Sequence, residues 1–199
     1  MNRNESFGSK KISLLDKIIY ALRVHQLKKY CDFDDKIIVD AGCGHNAIFL
    51  NYIKKRFAPK KLIAFDLKLN EATLKEQWIE SCEGDLNKPF DLPEKPDIIL
   101  CTAVLEHLHN PIGFLEQAYK NLKTGWVMVL TVPSIRSKPV LEFLAFKLKL
   151  INAVEIRDHK KYYTKGSLTQ YLEKAGFEKK KIHHHYFECF MNNFVLVKK

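Results

Sequence analysis

The chain has 199 residues, 46% of them hydrophobic, so it is long enough to bury one sizeable core and suits a single domain. Its formal net charge of +10 favours an anionic partner. No apolar run approaches the roughly twenty residues of a membrane span, and the polar N-terminus does not resemble a secretion signal.

The cysteines indicate a reducing compartment. They are five, an odd number, and their spacing is not that of paired metal ligands. We therefore expect a cytoplasmic protein without disulfides or structural zinc. The residues concerned are Cys31, Cys43, Cys82, Cys101 and Cys189.

The first elements in chain order are a helix, a strand and a glycine turn. Apolar residues near helical spacing predict a helix over 12–31, within an N-terminal helical flank that we assign to residues 1–32. The β-branched run of residues 37–39 is typical of a parallel strand covered on both faces. Gly42 and Gly44 then permit a sharp turn into a predicted helix over 47–57, whose first amides suit an anionic group. An ordinary tight turn between strand and helix is the alternative.

Acidic or small residues follow the next strands at matching places. Residues 62–66 read as a strand that ends in Asp66, about twenty residues after the glycine turn, where an acid can bind a ribose diol. A predicted helix over 71–82 precedes a third segment, 83–86, which repeats the pattern. Residues 96–103 form the fourth strand candidate. Each acid alone is more typical of a surface or helix-capping residue, but together they predict a ligand-binding edge.

The second half of the chain continues the alternation of helices and strands. Pro111 at an opening turn and Gly125 beyond the end predict a helix over 111–122. A strand is predicted over 126–132, and a helix over 165–175 that stops at Gly176. The last two strands, predicted over 182–188 and 194–198, are too close together for a helical crossover and are therefore expected to be antiparallel.

Residues 134–158 interrupt this alternation. They follow the fifth strand and contain an apolar run, 140–151, punctuated by lysine. Because the segment starts at the carboxyl edge of the sheet, where ligands bind, one interpretation is an inserted lid over a substrate. The alternatives are a helix packed on the domain edge, a dimer contact, or a basic amphipathic helix resting on a membrane surface.

The motifs resemble those of class I S-adenosylmethionine-dependent methyltransferases, in the small-molecule group. Residues 39–44, Val-Asp-Ala-Gly-Cys-Gly, match the first motif of that family, and residues 101–108 resemble its fourth. Leu122 to Trp126 stands where the family usually has Leu-Lys-Pro-Gly-Gly, and His159 to Phe177 resembles its C-terminal pattern. The resemblance covers about residues 33–199, with strong motifs for the cofactor and weak ones for the substrate.

This resemblance implies a fold, a domain and a cofactor. The fold is α/β, a Rossmann-like doubly wound seven-stranded sheet, mostly parallel with a C-terminal antiparallel strand. The methyltransferase domain would span residues 33–199 and bind S-adenosylmethionine. The implied cofactor-binding residues are Asp40, Gly42, Gly44, Asp66, Leu67, Asp85, Leu86, Thr102 and Ala103. The family often has a third glycine where this chain has Asn46, and asparagine tolerates the left-handed conformation better than most residues.

Three residues are candidates for catalysis. His107 and His159 are expected at the mouth of the cofactor cleft, where a neutral histidine takes a proton from a hydroxyl as the methyl group moves. Tyr163 follows the possible lid and is a third candidate. For His107, capping or bracing of the following loop is the alternative. We predict no metal site, because neighbouring histidines of the tract 183–185 point to opposite faces of a strand and the acidic constellation around Glu106 is incomplete.

The expected reaction is methyl transfer to a small-molecule acceptor, first of all to an oxygen of a metabolite, sugar or lipid precursor. Dispersed lysine pairs without a compact RNA-binding motif disfavour nucleic acid as a partner, while a peripheral membrane contact stays open. The alternatives are an RNA or protein methyltransferase and a cofactor-binding protein without catalysis. A nicotinamide dehydrogenase is disfavoured, since the third spaced glycine and a second substrate domain are missing. The sequence does not indicate an oligomeric state.

Overall fold

A computed structural model describes residues 14–149, 151, 153–187 and 190–199. Residues 12 and 13 of the predicted first helix, the rest of the flank before them, Glu188 of the predicted sixth strand and Cys189 lie outside the described residues. Leu150 in the apolar run also lies outside them.

The sheet has seven strands in the order β3-β2-β1-β4-β5-β7-β6. The strands from β3 through β5 are parallel, and β7 runs antiparallel between β5 and β6. This confirms the predicted Rossmann-like fold with its C-terminal antiparallel strand. The strands are β1 (Ile37–Ala41), β2 (Lys61–Asp66), β3 (Glu80–Glu83), β4 (Ile98–Thr102), β5 (Val127–Pro133), β6 (Ile182–Phe187) and β7 (Asn192–Lys198).

Helices cover both faces of this sheet. The core has two clusters, and β1 supplies both because successive side chains of a strand point to opposite faces: Val39 joins one cluster and Ile38 the other. Helices α4 and α7 pack on the first face, and α1 to α3 on the second. The helices are α1 (Leu14–Leu27), α2 (Ile48–Lys54), α3 (Glu71–Glu76), α4 (Pro111–Asn121), α5 (Lys138–Glu142), α6 (Ala153–Arg157) and α7 (Lys165–Lys174).

Local signals explain where two of these helices begin. At α4 the Asn110 side chain accepts a hydrogen bond from the Gly113 amide at 3.1 Å, and Pro111 occupies the first turn as predicted. At α7 the Thr164 hydroxyl accepts a hydrogen bond from the Ser167 amide, and the Ser167 hydroxyl accepts one from the Thr164 amide. This reciprocal cap satisfies two amides that the helix itself leaves unpaired.

The predicted helix over 71–82 is wrong in its second half. Helix α3 ends at Glu76, Trp78 has a positive φ of 54°, and residues 80–83 form β3. This strand lies at the edge of the sheet and pairs with β2 alone, so its half-exposed residues Glu-Ser-Cys-Glu carry no apolar run. The third strand therefore covers residues 80–83 and shares only Glu83 with the predicted segment 83–86.

Asn46, which replaces the third glycine of the family, does not use the left-handed conformation that asparagine tolerates. The non-glycine residue with positive φ in this turn is Ala47, at 42°. Asn46 instead accepts a hydrogen bond from the Asn70 side chain at 3.0 Å, which ties the turn to the start of α3.

The apolar run of residues 140–151 does not form one continuous helix. Helix α5 continues into a π-helical turn over Phe143–Lys147, Lys149 then adopts a positive φ of 54°, and α6 starts at Ala153. Among the described residues, no helix combines the length and the apolar character needed to cross a bilayer.

Gly42 supports a stability prediction, since it has a matched control. Gly42 and Gly125 have nearly the same φ, 84° and 87°, but an added Cβ at Gly42 would lie 2.4 Å from Val104 Cγ2, whereas at Gly125 it would meet nothing within 4 Å. Gly125→Ala should lower the free energy of unfolding by about 1–2 kcal/mol, which is the cost of a left-handed backbone conformation at a residue with a side chain. Gly42→Ala should lower the free energy of unfolding by roughly 1–3 kcal/mol more, because the added methyl group overpacks against Val104. Urea unfolding of both variants measures this difference, and equal losses would contradict it.

Candidate active site

A cavity of about 790 Å³ lies at the carboxyl ends of the parallel strands. Gly42 and Gly44 line it after β1, Asp66 at the end of β2, Asp85 after β3 and Ala103 after β4. Strands β2 and β4 flank β1 on opposite sides, so the cavity lies where the strand order reverses. Open α/β sheets bind their ligands at this position.

Asp66 organises the glycine turn. Its Oδ2 accepts a hydrogen bond from the Gly44 amide and its Oδ1 accepts one from the Leu67 amide, both at 2.7 Å. A carboxylate has about four lone-pair sites, so these two bonds alone do not exhaust its capacity to accept bonds from a diol. The carboxylate is therefore oriented in advance in the cavity wall.

Most of the predicted cofactor-binding residues line this one cavity. They are Gly42, Gly44, Asp66, Leu67, Asp85, Leu86 and Ala103. Asp40 and Thr102 do not belong to the described lining. Thr102 pairs with Thr131 of β5, and Ala103 reaches the cavity through a positive φ of 56° at the point where β4 ends.

Asp40 is buried in β1 behind the glycine turn. Burial, and next the charge of Asp66, raise the pKa of its carboxyl to about 7, while the charge of Arg23 opposes this shift. The residue therefore keeps its proton well above the range of an ordinary aspartate.

His107 lies in the wall of the same cavity and contacts an acid. Its Nδ1 is 2.9 Å from Asp158 Oδ2, and the residue is 8% exposed. Burial works against the ionised form of Asp158, but the hydrogen bond from Lys160 and the charge of His107 hold the pKa of this carboxyl below its usual value. An ionised carboxylate accepts the Nδ1 proton, which fixes the tautomer and makes Nε2 the basic nitrogen.

His159 lies next to His107 in the cavity wall. The two rings meet edge to face with centroids 4.9 Å apart, and His159 Nδ1 is 3.3 Å from the Tyr162 hydroxyl. Burial lowers the pKa of His159, although the charge of Asp158 opposes the shift, so the ring is neutral at neutral pH. The structure thus brings both predicted histidines together.

The structure does not support the predicted catalytic role of Tyr163. Its side chain is 0% exposed, and its hydroxyl donates to the backbone carbonyl of Leu105 at 3.1 Å. Burial raises the pKa of the phenol, and the residue lies outside the described cavity lining. We therefore assign Tyr163 to the support of the turn that carries His107.

The two histidines and Glu106 also form a possible metal site, contrary to the expectation of none. Glu106, His107 and His159 each offer one ligand atom, and these atoms lie within 4.8 Å of one another. Imidazole and carboxylate ligands suit zinc and related transition metals. The tract 183–185 does not converge in this way, because His184 bonds to Asn193 while His185 stacks on Tyr30.

Several residues of the site escaped the sequence analysis. Ile19 and Arg23 line the cavity from α1, so the N-terminal flank is part of its wall. Asp158 was noted only as the end of the possible lid, although it adjoins the predicted His159. Its contact with His107 joins residues 51 positions apart, and no local sequence pattern predicts such a pairing.

Comparisons with known proteins agree with this geometry. A family model for a methyltransferase domain matches residues 16–182. The chain is 22% identical over 182 residues to a ubiquinone biosynthesis O-methyltransferase of Pseudomonas entomophila, covering 82% of this chain and 74% of that protein. It is 28% identical over 111 residues to a tRNA U34 carboxymethyltransferase of Campylobacter fetus, covering 52% and 39%.

A solved structure shows the same fold. It is an S-adenosylmethionine-dependent methyltransferase from Thermotoga maritima, described as a possible histamine N-methyltransferase. The TM-score is 0.65 at 15% identity, with 92% of this chain and 90% of that chain covered.

Asp40 predicts a pH dependence of stability. The unfolded carboxyl loses its proton near pH 3.8 and the folded one near 7, so between these values the folded state holds one more proton and its stability falls as pH rises. Asp40→Asn should remove this fall in stability, which is at most about 1.4 kcal/mol per pH unit. The variant should therefore be more stable than the parent protein at pH 8. Urea unfolding from pH 4 to 8 measures the effect. The exposed Asp91→Asn is the control, and parallel curves for parent and Asp40→Asn would contradict the assignment.

Proposed function

We propose, since this chain belongs to the S-adenosylmethionine-dependent methyltransferase family, that it transfers the methyl group to a hydroxyl oxygen of a small-molecule acceptor. The observation that carries the choice of a hydroxyl is the pair of His107 and Asp158 in the wall of the cofactor cavity. A hydroxyl must lose its proton as the methyl group arrives, and this pair provides a base for it.

The residues of the cavity fit this cofactor. Asp66 presents two oriented carboxylate oxygens to a ribose diol. Asp85 lies beside the buried Leu86, an acid and an apolar surface of the kind that a purine needs. Gly42 brings backbone into the cavity wall without a side chain. When bound, S-adenosylmethionine supplies a methyl group on a positively charged sulfur, a leaving group that needs no further activation.

The task left to the protein is to align the acceptor and to remove its proton. His107, with its proton on Nδ1 held by Asp158, takes the acceptor proton at Nε2. The carboxylate of Asp158 then stabilises the imidazolium that forms. Neutral His159 packs against this ring and limits its rotation.

The segment 134–158 is proposed as the cover of the acceptor. Ser137, Leu141 and Ile156 of this segment line the cavity. They would exclude water from the reacting atoms, which strengthens the interaction between charges in the site.

The four described cysteines are free thiols, which supports the proposal of a cytoplasmic location.

An RNA acceptor is the second candidate. The net charge of +10 and the similarity to a tRNA carboxymethyltransferase favour it. The O-methyltransferase relative, which shares more of its length with this chain, favours the small acceptor. Transfer of labelled methyl from the cofactor to the RNA or to the small-molecule fraction of a cell extract separates the two.

The first prediction of this proposal concerns Asp66. Asp66→Ala should weaken binding of S-adenosylhomocysteine, measured by calorimetry, by about 1–3 kcal/mol, because the ribose hydroxyls lose their acceptors. Asp91→Ala at an exposed position is the control, and urea unfolding verifies that both variants are folded. An unchanged affinity of Asp66→Ala for S-adenosylhomocysteine would contradict the cofactor assignment. Tight binding of NAD with no binding of S-adenosylhomocysteine would contradict it as well.

The second prediction concerns the base. His107→Gln should reduce kcat by roughly 10²-fold or more. Asp158→Asn should reduce it by at least about 10-fold through loss of the charge that stabilises imidazolium, with the acceptor KM and cofactor affinity nearly unchanged. The exposed His25→Gln serves as control. Activity that disappears with a chelator and returns with zinc would instead assign His107 as a metal ligand together with Glu106 and His159.

A further inference from the structure

A second cavity of about 550 Å³ opens beside the first. The two share Ile156, His159 and Lys160 in their walls. Since His159 packs on His107, the second cavity begins one side chain away from the proposed base. Its other walls come from the segment after β5 and from residues 161 and 162.

The described lining of this second cavity is strongly cationic. Lys138, Arg157, Lys160 and Lys161 line it, and Glu142 is the one acid among the described lining residues. Lys160 is already engaged, because its Nζ donates to Asp158 Oδ1 at 3.2 Å and to the His107 carbonyl at 2.7 Å. Lys161 is engaged as well, because its Nζ donates to the Tyr171 hydroxyl. Lys138 and Arg157 remain, two cations against the single carboxylate.

Aromatic rings hold two of these cations in place. Lys138 Nζ lies 5.9 Å from the centre of the Tyr162 ring, and the Arg157 guanidinium lies 5.4 Å from the centre of the Phe146 ring. Both rings belong to the same cavity wall. Cations placed over rings lose less freedom when they bind an anion, and a guanidinium offers two parallel N–H donors to a phosphate or carboxylate.

The geometry points to a subsite for an anionic group of the acceptor. We propose that the second cavity binds a phosphate or carboxylate of a soluble acceptor while the hydroxyl to be methylated lies in the first cavity beside His107. This inference rests on the proposed function and narrows its substrate class to small acid-bearing hydroxyl compounds. Lys138 and Arg157 are then specificity-determining residues, since they contact the acceptor away from the reacting oxygen.

The same segment provides a control for nonspecific charge. Lys147 and Lys149 are exposed and lie outside the described lining of both cavities. A double change at these positions removes the same two charges as a double change at Lys138 and Arg157. Long-range attraction of an anion would respond equally to both, whereas a local subsite responds to one.

The test uses pyrophosphate as the probe and the protein saturated with S-adenosylhomocysteine. Calorimetry should show pyrophosphate binding to the parent protein. The double variant Lys138→Gln, Arg157→Gln should bind it about 10-fold more weakly, which corresponds to two partly exposed charge-assisted contacts. Lys147→Gln, Lys149→Gln should change the dissociation constant by less than about 2-fold, since exposed charges act weakly over distance. Equal weakening in the two double variants would overturn the proposal.

Two further arms identify the source of the anion. Malonate in place of pyrophosphate tests for a carboxylate, and binding of either one that depends on Lys138 and Arg157 supports the subsite. Vesicles of phosphatidylcholine with and without phosphatidylglycerol test for a lipid surface. Vesicle binding that depends on these residues, with neither soluble anion bound, would overturn the proposal in favour of a membrane contact.

The readouts separate this inference from the function beneath it. If S-adenosylhomocysteine binds and methyl groups are transferred to an uncharged acceptor, but neither anion binds, the subsite is wrong and the methyltransferase proposal stands. Once the acceptor is found, the Lys138→Gln, Arg157→Gln variant should raise its KM about 10-fold with kcat within about 2-fold. A fall in kcat with no change in KM would overturn the subsite.

Discussion

The two hydrogen bonds that Asp66 accepts join the sheet, the glycine turn and the cavity. Its side chain lies at the end of β2, the amide of Gly44 belongs to the turn after β1, and that of Leu67 follows the carboxylate itself. Burial, and next the charge of Asp66, raise the pKa of Asp40 in the neighbouring strand. Asp66 therefore has two effects. Its hydrogen bonds orient the carboxylate that we propose binds ribose, and its charge adds to the burial that keeps Asp40 protonated.

A separate set of contacts builds the proposed acceptor side of the cavity. Residues 158–163 bind the turn at residues 105–107 from several directions: the Lys160 amide donates to the Glu106 carbonyl, the Lys160 ammonium donates to the His107 carbonyl, and the Tyr163 hydroxyl donates to the Leu105 carbonyl. Asp158 adds the bond to the imidazole. The position of His107 thus depends on a stretch of chain about fifty residues away.

This difference in construction explains how much could be predicted from the sequence. The cofactor half follows from local rules, since a buried β-branched run, two glycines and acids at successive strand ends dictate which atoms meet at the sheet edge. The acceptor half depends on the conformation of residues 134–163, where a π-helical turn and the positive φ of Lys149 break the apolar pattern. The edge strand β3 was missed for a related reason, because pairing with β2 and not hydrophobicity determines it. Tyr163 was a candidate for catalysis because it follows the possible lid, but its burial beneath the turn is a tertiary property that sequence position does not reveal.

Both ends of the segment 134–158 are held by hydrogen bonds to other parts of the chain. Ser134 donates through its amide to the Met191 carbonyl and through its hydroxyl to the Phe190 carbonyl, and it also forms a β-bridge with Tyr163. Asp158 is held at the other end by His107 and Lys160. A loop closed at its base in this way can change the residues between its anchors without moving the strand ends. A substitution in the segment can therefore alter the shape and charge of the proposed acceptor site while Asp66 and the glycine turn stay in register.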